Sequence, residues 1–311
     1  MRLSKHQFAI LSITLCTIIT SAAAPLFKWS MLDTPPFTLA FLRFLLATII
    51  MLPLVYNRIK IKFEDFYKIL LLALTCITFN TGFYFLGLSL SQSINAPIID
   101  SSVPLFLIIG AVLFLKETPK PKMLFGMAVS LIGILIIIIR PSDHISPTGS
   151  ILGNIFLLLS VFSLVGYTLL LKKFKLSYPA STLLFWMFLL ATITFFPLYI
   201  LGGGIKSLIP HLDIRGYFGI MYGAVFSSIL CQIFYTYSVK ALKSDEIGIF
   251  MYLGPVITAL IAIPLLHEEI TFSYLLGSAF VFLGLIIAEV KFHYHRSHHH
   301  LENDPWLESG P

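Results

Sequence analysis

Long apolar segments separated by short polar ones dominate the pattern along the chain. A helix needs about 20 mainly apolar residues to cross a hydrocarbon core about 30 Å thick. Ten runs of this kind lie near 8–27, 37–56, 67–87, 96–115, 123–139, 150–171, 180–201, 216–239, 247–266 and 272–290. Because the connections are short, no soluble domain is expected outside the bilayer. The pattern predicts an all-α integral membrane protein with ten transmembrane helices.

Composition excludes a water-soluble globule. The 311 residues include 21 Lys and Arg and 15 Asp and Glu, so that 12% are charged, and 57% are hydrophobic with a mean hydropathy of +0.91. Soluble chains are about 25% charged. The three cysteines, Cys16, Cys76 and Cys231, fall inside apolar runs, which favours small core residues over a disulfide framework.

The basic residues indicate an orientation. With a cytoplasmic N-terminus, sixteen of the 21 Lys and Arg fall on the cytoplasmic side and four on the other, while Arg43 lies within a span. Basic residues concentrate in cytoplasmic loops, so both termini are predicted to be cytoplasmic, in a multi-pass protein of the cell inner membrane. The net charge of +6 is then a topological signal, and no nucleic-acid partner is expected.

The sequence contains an internal repeat. A shift of 144 places residues 35–54 on 179–198 with twelve of 20 positions identical. A shift of 151 places Phe83-Tyr84 on Phe234-Tyr235, and the pattern P-x10-L-x-E-x8-G-x6-G occurs at 104–133 and again at 255–284. Preserved spacing across Pro, Glu and Gly is hard to obtain by chance. We therefore predict two repeats, 1–145 and 146–290, followed by a polar cytoplasmic tail, 291–311.

Each repeat holds five predicted spans, and because five is odd the second repeat must be inverted in the membrane. Two inverted halves can exchange conformations around one midplane site, which is typical of secondary transporters. The N-terminus, with an apolar run before Ser21-Ala22-Ala23-Ala24, also imitates a cleavable secretion signal. The repeat argues against cleavage, since the first span has a counterpart in mid-chain.

The repeated pattern, together with F-L-R-F-L-L-A at 41–47, resembles the EamA family of the drug/metabolite transporter superfamily over residues 8–290. The resemblance implies ten helices in a five-plus-five inverted repeat, and alternating access through a cavity lined largely by helices 1, 3, 4, 6, 8 and 9. It also implies export of amino acids, other metabolites or toxic compounds, driven by protons or facilitated. Met187 departs from the pattern, because the second copy lacks the arginine that the first has at Arg43.

Two ionisable residues, Arg43 and Asp100, lie inside predicted spans 2 and 4. A charge in hydrocarbon costs several kcal/mol unless it is paired or faces water. The two side chains are therefore predicted to meet as a structural ion pair. The alternative is that Asp100 binds a proton or a substrate amine, with Arg43 as its alternating counter-ion.

Polar and aromatic residues at matching repeat positions are candidates for the transport path. Tyr84 and Tyr235 are equivalent, and inversion places one near each face, so we predict paired gates. Asn80 and Gln232 lie deeper on the same helices, where an amide is costly in lipid but useful in a wet cavity. The remaining wall candidates are Asn154, Tyr167, Trp186 and Tyr222. The set favours an amphiphilic or aromatic substrate over a phosphate, although any single aromatic could instead pack the core.

The prolines Pro104 and Pro255 fall inside spans 4 and 9, where each removes a backbone hydrogen bond and kinks the helix. Ser101 and Tyr252 lie close to them and either face the cavity or, as the open alternative, satisfy the freed backbone groups.

Several residues are predicted to be structural. Glu117 and Glu268 close spans 4 and 9 at opposite faces, where each would accept hydrogen bonds from loop amides or a lysine. Lys28 and Trp29 are expected to anchor span 1 at the outer interface. Four glycines would bring helices 5 and 10 close to a neighbour; they are Gly126, Gly133, Gly277 and Gly284.

The function predicted from these patterns is secondary transport, most specifically export of amino acids or other small amphiphilic metabolites or drugs. The expected partners are a small-molecule substrate, the lipid bilayer and protons, with no cofactor or metal. The alternatives are a facilitative, channel-like permease and a metabolite uptake carrier. An intramembrane enzyme is disfavoured, because His267-Glu268-Glu269 lacks the second histidine of a zinc protease helix and the deep acids are too few for a carboxylate pair.

Overall fold

A computed structural model describes residues 5–115, 121–139, 147–174, 176–204, 212–242 and 253–289, and every regular element in these ranges is helical. In lipid, a helix satisfies all of its backbone hydrogen bonds internally. The helices are α1 (Lys5–Ser30), α2 (Pro36–Val55), α3 (Phe63–Leu90), α4 (Asn95–Asp100), α5 (Val103–Leu115), α6 (Pro121–Ile139), α7 (Pro147–Phe174), α8 (Ala180–Tyr199), α9 (214–241), α10 (Gly254–Leu266) and α11 (Phe272–Glu289).

Seven helical segments are long and apolar enough to cross a membrane, and α4 and α5 count together as one of them. Three predicted spans contain shorter apolar helices of 10–17 residues, namely Leu124–Ile139, Gly254–Leu266 and Phe272–Ile287. Large apolar side chains such as Phe114, Leu201 and Leu260 are exposed on the outside of the bundle, as a lipid-facing surface requires. The chain is thus a helical, multi-pass membrane protein, and the number of ten crossings stays a prediction.

Helices α2 and α8 pack antiparallel. The Phe41 ring stacks on Tyr199 with centroids 4.9 Å apart, and the Phe44 ring stacks on Phe195 at 5.9 Å. One turn further along α2, the hydroxyl oxygens of Thr48 and Thr192 are 3.5 Å apart. The residue numbers of the α8 partners fall as those along α2 rise, so the two helices run in opposite directions.

Helices α6 and α11 make a close antiparallel contact through small residues. The Ser130 hydroxyl donates a hydrogen bond to the Val281 carbonyl oxygen at 3.0 Å. A methyl group added at Gly133 would collide with the backbone of Gly277, and one added at Gly284 would collide with that of Gly126. The four glycines thus bring the predicted helices 5 and 10 against each other.

Two further helix pairs each join a first helix of one half to the third helix of the other half. In the pair α1–α9, the Ser238 hydroxyl donates to the Ala9 carbonyl oxygen at 3.1 Å. In the pair α3–α7, a methyl group at Gly87 would collide with the carbonyl oxygen of Gly153. These pairs connect each third helix to the first helix of the other half.

The helix expected across 96–115 is interrupted before Pro104. Helix α4 ends at Asp100, and α5 begins at Val103, so a break replaces the predicted kink in a continuous helix. The hydroxyls of Ser101 and Ser102 donate to the carbonyl oxygens three residues earlier, at Ile98 and Ile99. Ser101 therefore satisfies the backbone, which is one of the two roles predicted for it.

Pro255 also differs from the prediction of a kink within a span. It is the second residue of α10, which begins at Gly254. A proline in the first helical turn removes no intrahelical hydrogen bond, because the amide there has no partner in the helix. Within the described residues Pro255 therefore starts a helix.

Candidate functional site

Arg43 lies on α2 in the interior of the bundle, with only 9% of its surface exposed. Its guanidinium carbon is 4.8 Å from the centre of the Phe27 ring and 4.9 Å from that of Phe44. The Nε and Nη2 atoms donate to the Ser228 hydroxyl at 3.3 and 3.1 Å, and Nη2 also donates to Ser227 at 3.3 Å. Aromatic faces and neutral hydroxyls therefore hold this cation.

The two serines belong to a π-helical stretch of α9, Tyr222–Leu230. The Ser228 hydroxyl donates to the carbonyl oxygen of Gly223 at 2.8 Å. A methyl group at Gly223 would collide with Cδ of Arg43, so only glycine leaves room for the arginine stem. Single π-helical turns are frequent at functional sites, and this one positions the hydrogen-bond acceptors of Arg43.

The predicted contact between Arg43 and Asp100 is wrong. Their charged atoms are more than 4.0 Å apart, since no salt bridge joins these two described residues, and Arg43 bonds to serines instead. Asp100 is half-buried at the end of α4 and has no hydrogen-bond partner in the described part of the chain. Tyr84 interacts electrostatically with both charges. The two ionisable groups therefore share a neighbour without touching.

Tyr222 joins the same group of residues. Its ring packs on Phe27 with centroids 5.9 Å apart, and it interacts electrostatically with Arg43. Its hydroxyl donates to the carbonyl oxygen of Ile19 in α1. We refer to Phe27, Arg43, Phe44, Tyr84, Asp100, Tyr222, Ser227 and Ser228 as the Arg43 site.

Within the described residues, none of the other predicted wall residues forms a hydrogen bond with Arg43. The Asn80 amide donates to the Ser160 carbonyl oxygen at 2.9 Å and links α3 to α7. Tyr167 is half-buried near Cys76, and Gln232 is half-buried on α9. Trp186 donates to the Ile59 carbonyl oxygen at 2.9 Å.

The predicted gates differ in their surroundings. Tyr84 is half-buried against the core, whereas Tyr235 is 40% exposed. The predicted site residue Tyr252 and the predicted structural residue Glu117 lie outside the residues that the structure describes.

Glu268 lies at the centre of a second polar cluster, where the ends of α1, α3 and α10 meet. Its carboxylate accepts hydrogen bonds from the Ser93 amide at 2.6 Å, the Ser93 hydroxyl at 2.9 Å and the Ile94 amide at 3.0 Å. Lys28 forms an ion pair with it at 2.9 Å and also donates to the Ser91 carbonyl oxygen. The prediction that Lys28 is a lipid-interface anchor is therefore wrong, because an internal carboxylate binds it.

A fully buried amide extends this Lys28–Glu268 cluster. The Asn154 side-chain oxygen accepts from the Ser91 hydroxyl at 2.5 Å and from the Asn95 amide at 3.1 Å, and its own amide donates to the Ile137 carbonyl oxygen at 3.0 Å. Asn154 has no exposed surface. It is part of a buried network and not of a cavity wall.

The sequence analysis missed several residues of the site. Ser227 and Ser228 are adjacent polar residues in the middle of a predicted span. Burying hydroxyls in lipid without a hydrogen bond is costly, so this pair could have indicated a buried polar partner. Phe27 and Phe44 carry no signal that separates them from the other 26 phenylalanines of the 28 in the chain. Cys16 and Cys231 lie on different helices, yet their sulfur atoms are 2.8 Å apart.

The family model described as the EamA-like transporter family matches residues 7–139 and 151–289. The chain belongs to the EamA-like transporter family. This membership, together with the apolar helices, means that the protein is a membrane transporter in contact with the lipid bilayer, and transport implies a small-molecule substrate.

Relatives of this EamA-like transporter align along nearly the whole chain. An uncharacterized transporter of Archaeoglobus fulgidus is 24% identical over 91% of this chain and 98% of its own. The uncharacterized transporters YcxC and YyaM of Bacillus subtilis are 22% and 25% identical, over 92% and 91% of this chain. These alignments include 95% of YcxC and 94% of YyaM.

A solved crystal structure is similar to the EamA-like transporter in fold. The superposition has a TM-score of 0.57 at 15% sequence identity and covers 93% of this chain and 98% of the other. At this identity the likeness establishes the fold alone.

Proposed function

We propose that this EamA-like transporter is a secondary carrier that exports amino acids or other small amphiphilic metabolites or drugs by alternating access. Two inverted five-helix repeats, 1–145 and 146–290, would form the carrier in the cell inner membrane, with both termini in the cytoplasm. Uptake, or facilitated permeation through a channel-like path, is the alternative.

The observation that carries this proposal is the exchange symmetry of the helix contacts. The shift of 144 that aligns the repeats makes Thr48 equivalent to Thr192, and the hydroxyls of these two residues touch each other. The shift of 151 turns Ser130 into position 281, and Ser130 bonds to Val281. A residue meets its own equivalent only on a two-fold axis, so both contacts support an axis that relates the halves.

The glycine contacts support the same axis. Exchanging the halves by 151 converts the contact of Gly133 with Gly277 into the contact of Gly284 with Gly126, and both are formed. The same holds for a second pair of contacts. The shift of 151 makes Gly87 equivalent to Ser238, and the shift of 144 makes Gly153 equivalent to Ala9. The pairs Gly87–Gly153 and Ser238–Ala9 are both in close contact. Because the related helices run antiparallel, such an axis would lie across them, and this supports the inverted repeat that we propose.

The Lys28–Glu268 cluster supports alternating access, because it ties the ends of several helices together at one end of the bundle. Glu268, just after α10, is tied to the start of α4 through Ser93 and to the end of α1 through Lys28. In the predicted topology this end faces outward. In the proposed cycle this arrangement would be a carrier closed on the outside, and opening that side would require these contacts to separate.

The Arg43 site supports a small amphiphilic substrate. It combines one guanidinium, two serine hydroxyls and several aromatic rings, and Asp100 lies nearby with a carboxylate that lacks a hydrogen-bond partner in the described residues. Asp100 is the group that we propose binds a proton or a substrate amine. An intramembrane carboxylate facing a wet cavity is a common proton carrier in transporters.

Counterflow in proteoliposomes tests this function. Vesicles containing the purified protein would be loaded with unlabelled members of a metabolite panel and given a trace of the labelled compound outside. A carrier gives a transient accumulation of label that requires the same compound inside, and its initial rate saturates. Unsaturable flux without counterflow would identify a channel, and no flux across the panel would remove the proposal.

A further inference from the structure

We propose that Arg43 binds the carboxylate of the transported substrate, and that the substrate is a monocarboxylate with an aromatic or otherwise apolar body. This inference rests on the proposed carrier function. It adds the chemical class of the ligand and assigns the carboxylate end to one residue.

The charge of Arg43 lacks a counter-ion in the described structure. Lys28, Lys68 and Arg215 each lie within 3.0 Å of a carboxylate oxygen. Arg43 is more deeply buried than any of these, yet within the described residues no carboxylate lies within 4.0 Å of it and its hydrogen bonds go to neutral serines. A buried charge without an opposite charge is unfavourable, so a bound anion would stabilise this site.

The guanidinium also has donors to spare. Its hydrogen bonds to the two serines use Nε and Nη2, and Nη1 has no acceptor among the described residues. Arginine presents five N–H donors in a planar fork that matches a carboxylate in bidentate fashion. The free edge of Arg43 is therefore suited to a planar, singly charged group.

The surroundings of Arg43 decide between anions. The rings of Phe27 and Phe44 face the guanidinium, and the Tyr222 ring packs on Phe27. A phosphate ester carries nearly two charges and would require further deep cations, whereas one cation balances one carboxylate. Aromatic surface next to it favours a ligand whose carboxylate is attached to an apolar body.

The Arg43 site has no repeat-related copy in the transporter. The repeat shifts carry Arg43 to Met187 and Ser228 to Ile77, and both of these apolar side chains are buried. Met187 also supplies the natural replacement for a test, since it fills the equivalent position without a charge.

The test uses matched probes on the full-length protein in detergent. Four compounds are compared for each of three apolar bodies, namely phenyl, indole and isobutyl. Two of them, the amino acid and the same acid without its amino group, carry a carboxylate. The other two, the amino-acid amide and the amine left after decarboxylation, do not. Ligand-dependent shifts of the thermal midpoint give the apparent affinities. We expect stabilisation by the carboxylates of at least one body and none by their amides and amines.

Variants locate the carboxylate contact. Arg43→Met should weaken carboxylate binding by about tenfold to a hundredfold, as expected for lost hydrogen bonds between charged groups, and Arg43→Lys should retain part of it. The control Arg215→Met removes an exposed arginine and should change nothing. Unliganded midpoints and gel-filtration profiles show whether each variant folds.

The outcomes separate this inference from the carrier function. Equal stabilisation by acids, amides and amines, no stabilisation by any carboxylate, or undiminished binding in Arg43→Met overturns the carboxylate assignment. If neutral or cationic compounds still show counterflow, the carrier stands and only the substrate class is wrong. Loss of counterflow for all compounds removes the carrier itself.

Discussion

The ammonium nitrogen of Lys28 lies 2.9 Å from a carboxylate oxygen of Glu268, although 240 residues separate them along the chain. Only 16% of the lysine side chain and 5% of the glutamate side chain are exposed. The pair thus joins the first and second halves of the transporter in a mostly dry environment. Two backbone amides and one hydroxyl also donate hydrogen bonds to this carboxylate, so Glu268 binds four donors at this end of the bundle.

Breaking this pair should destabilise the closed state. Removing one member of a buried ion pair costs about 3–5 kcal/mol, because the other charge is left uncompensated. We expect Glu268→Gln and Lys28→Met each to lower the thermal midpoint, and the double variant to lose less than the sum of the two. Additive losses in this double-mutant cycle would show that the two side chains do not interact.

Glycine substitutions test the symmetric packing of α6 and α11. A methyl group at Gly133 or Gly284 collides with the backbone of the other helix, and overpacking costs about 1–3 kcal/mol. Gly133→Ala and Gly284→Ala should therefore lower the thermal midpoint by similar amounts. Gly166 is the matched control, since nothing lies within 4 Å of an added methyl group. A midpoint for Gly133→Ala equal to that of Gly166→Ala would contradict the packing.

The cysteine pair predicts an oxidative cross-link between α1 and α9. Cys16 and Cys231 have sulfur atoms 2.8 Å apart, and Cys76 is not part of this pair. Copper-phenanthroline should convert two of the three thiols to a disulfide, as counted by mass spectrometry after alkylation. Cys76→Ser should leave the cross-link intact and Cys16→Ser should abolish it. A cross-link that includes Cys76 would mean that α1 and α9 are paired differently.

Replacement of Asp100 tests proton coupling. Asp100 is half-buried at the end of α4, and its carboxylate has no hydrogen-bond partner among the described residues. If it carries the proton, Asp100→Asn should retain counterflow, which needs no net proton movement, but lose the dependence of net transport on an imposed pH gradient. Net transport that still follows the pH gradient in this variant would remove Asp100 from the coupling step.

The helices could be predicted from the sequence because they depend on local patterns, whereas the inverted arrangement of the repeats stays a prediction. Apolar runs predict membrane helices from length alone, and the spacing of Pro, Glu and Gly survives in both halves. Residues such as Gly133 and Gly284 could therefore be assigned to helix packing before their neighbours were known.

The partners of charged residues could not be derived in the same way. The sequence predicts an ion pair between Arg43 and Asp100 because both charges lie inside predicted spans. Arg43 instead donates hydrogen bonds to serines on α9 that are 184 and 185 residues away along the chain. Lys28 looked like an interface anchor because its carboxylate partner comes from the other half of the chain. Long-range partners depend on how the helices are arranged, which no local pattern records.

Cross-linking across the Lys28–Glu268 cluster tests alternating access most directly. Lys28→Cys and Glu268→Cys would be combined in a protein whose three native cysteines are replaced by serine, then joined by a reducible bifunctional thiol reagent, with the single-cysteine variants as controls. We predict that cross-linking stops counterflow and that reduction restores it. Counterflow that continues at the same rate in fully cross-linked protein would contradict a carrier that must open this end.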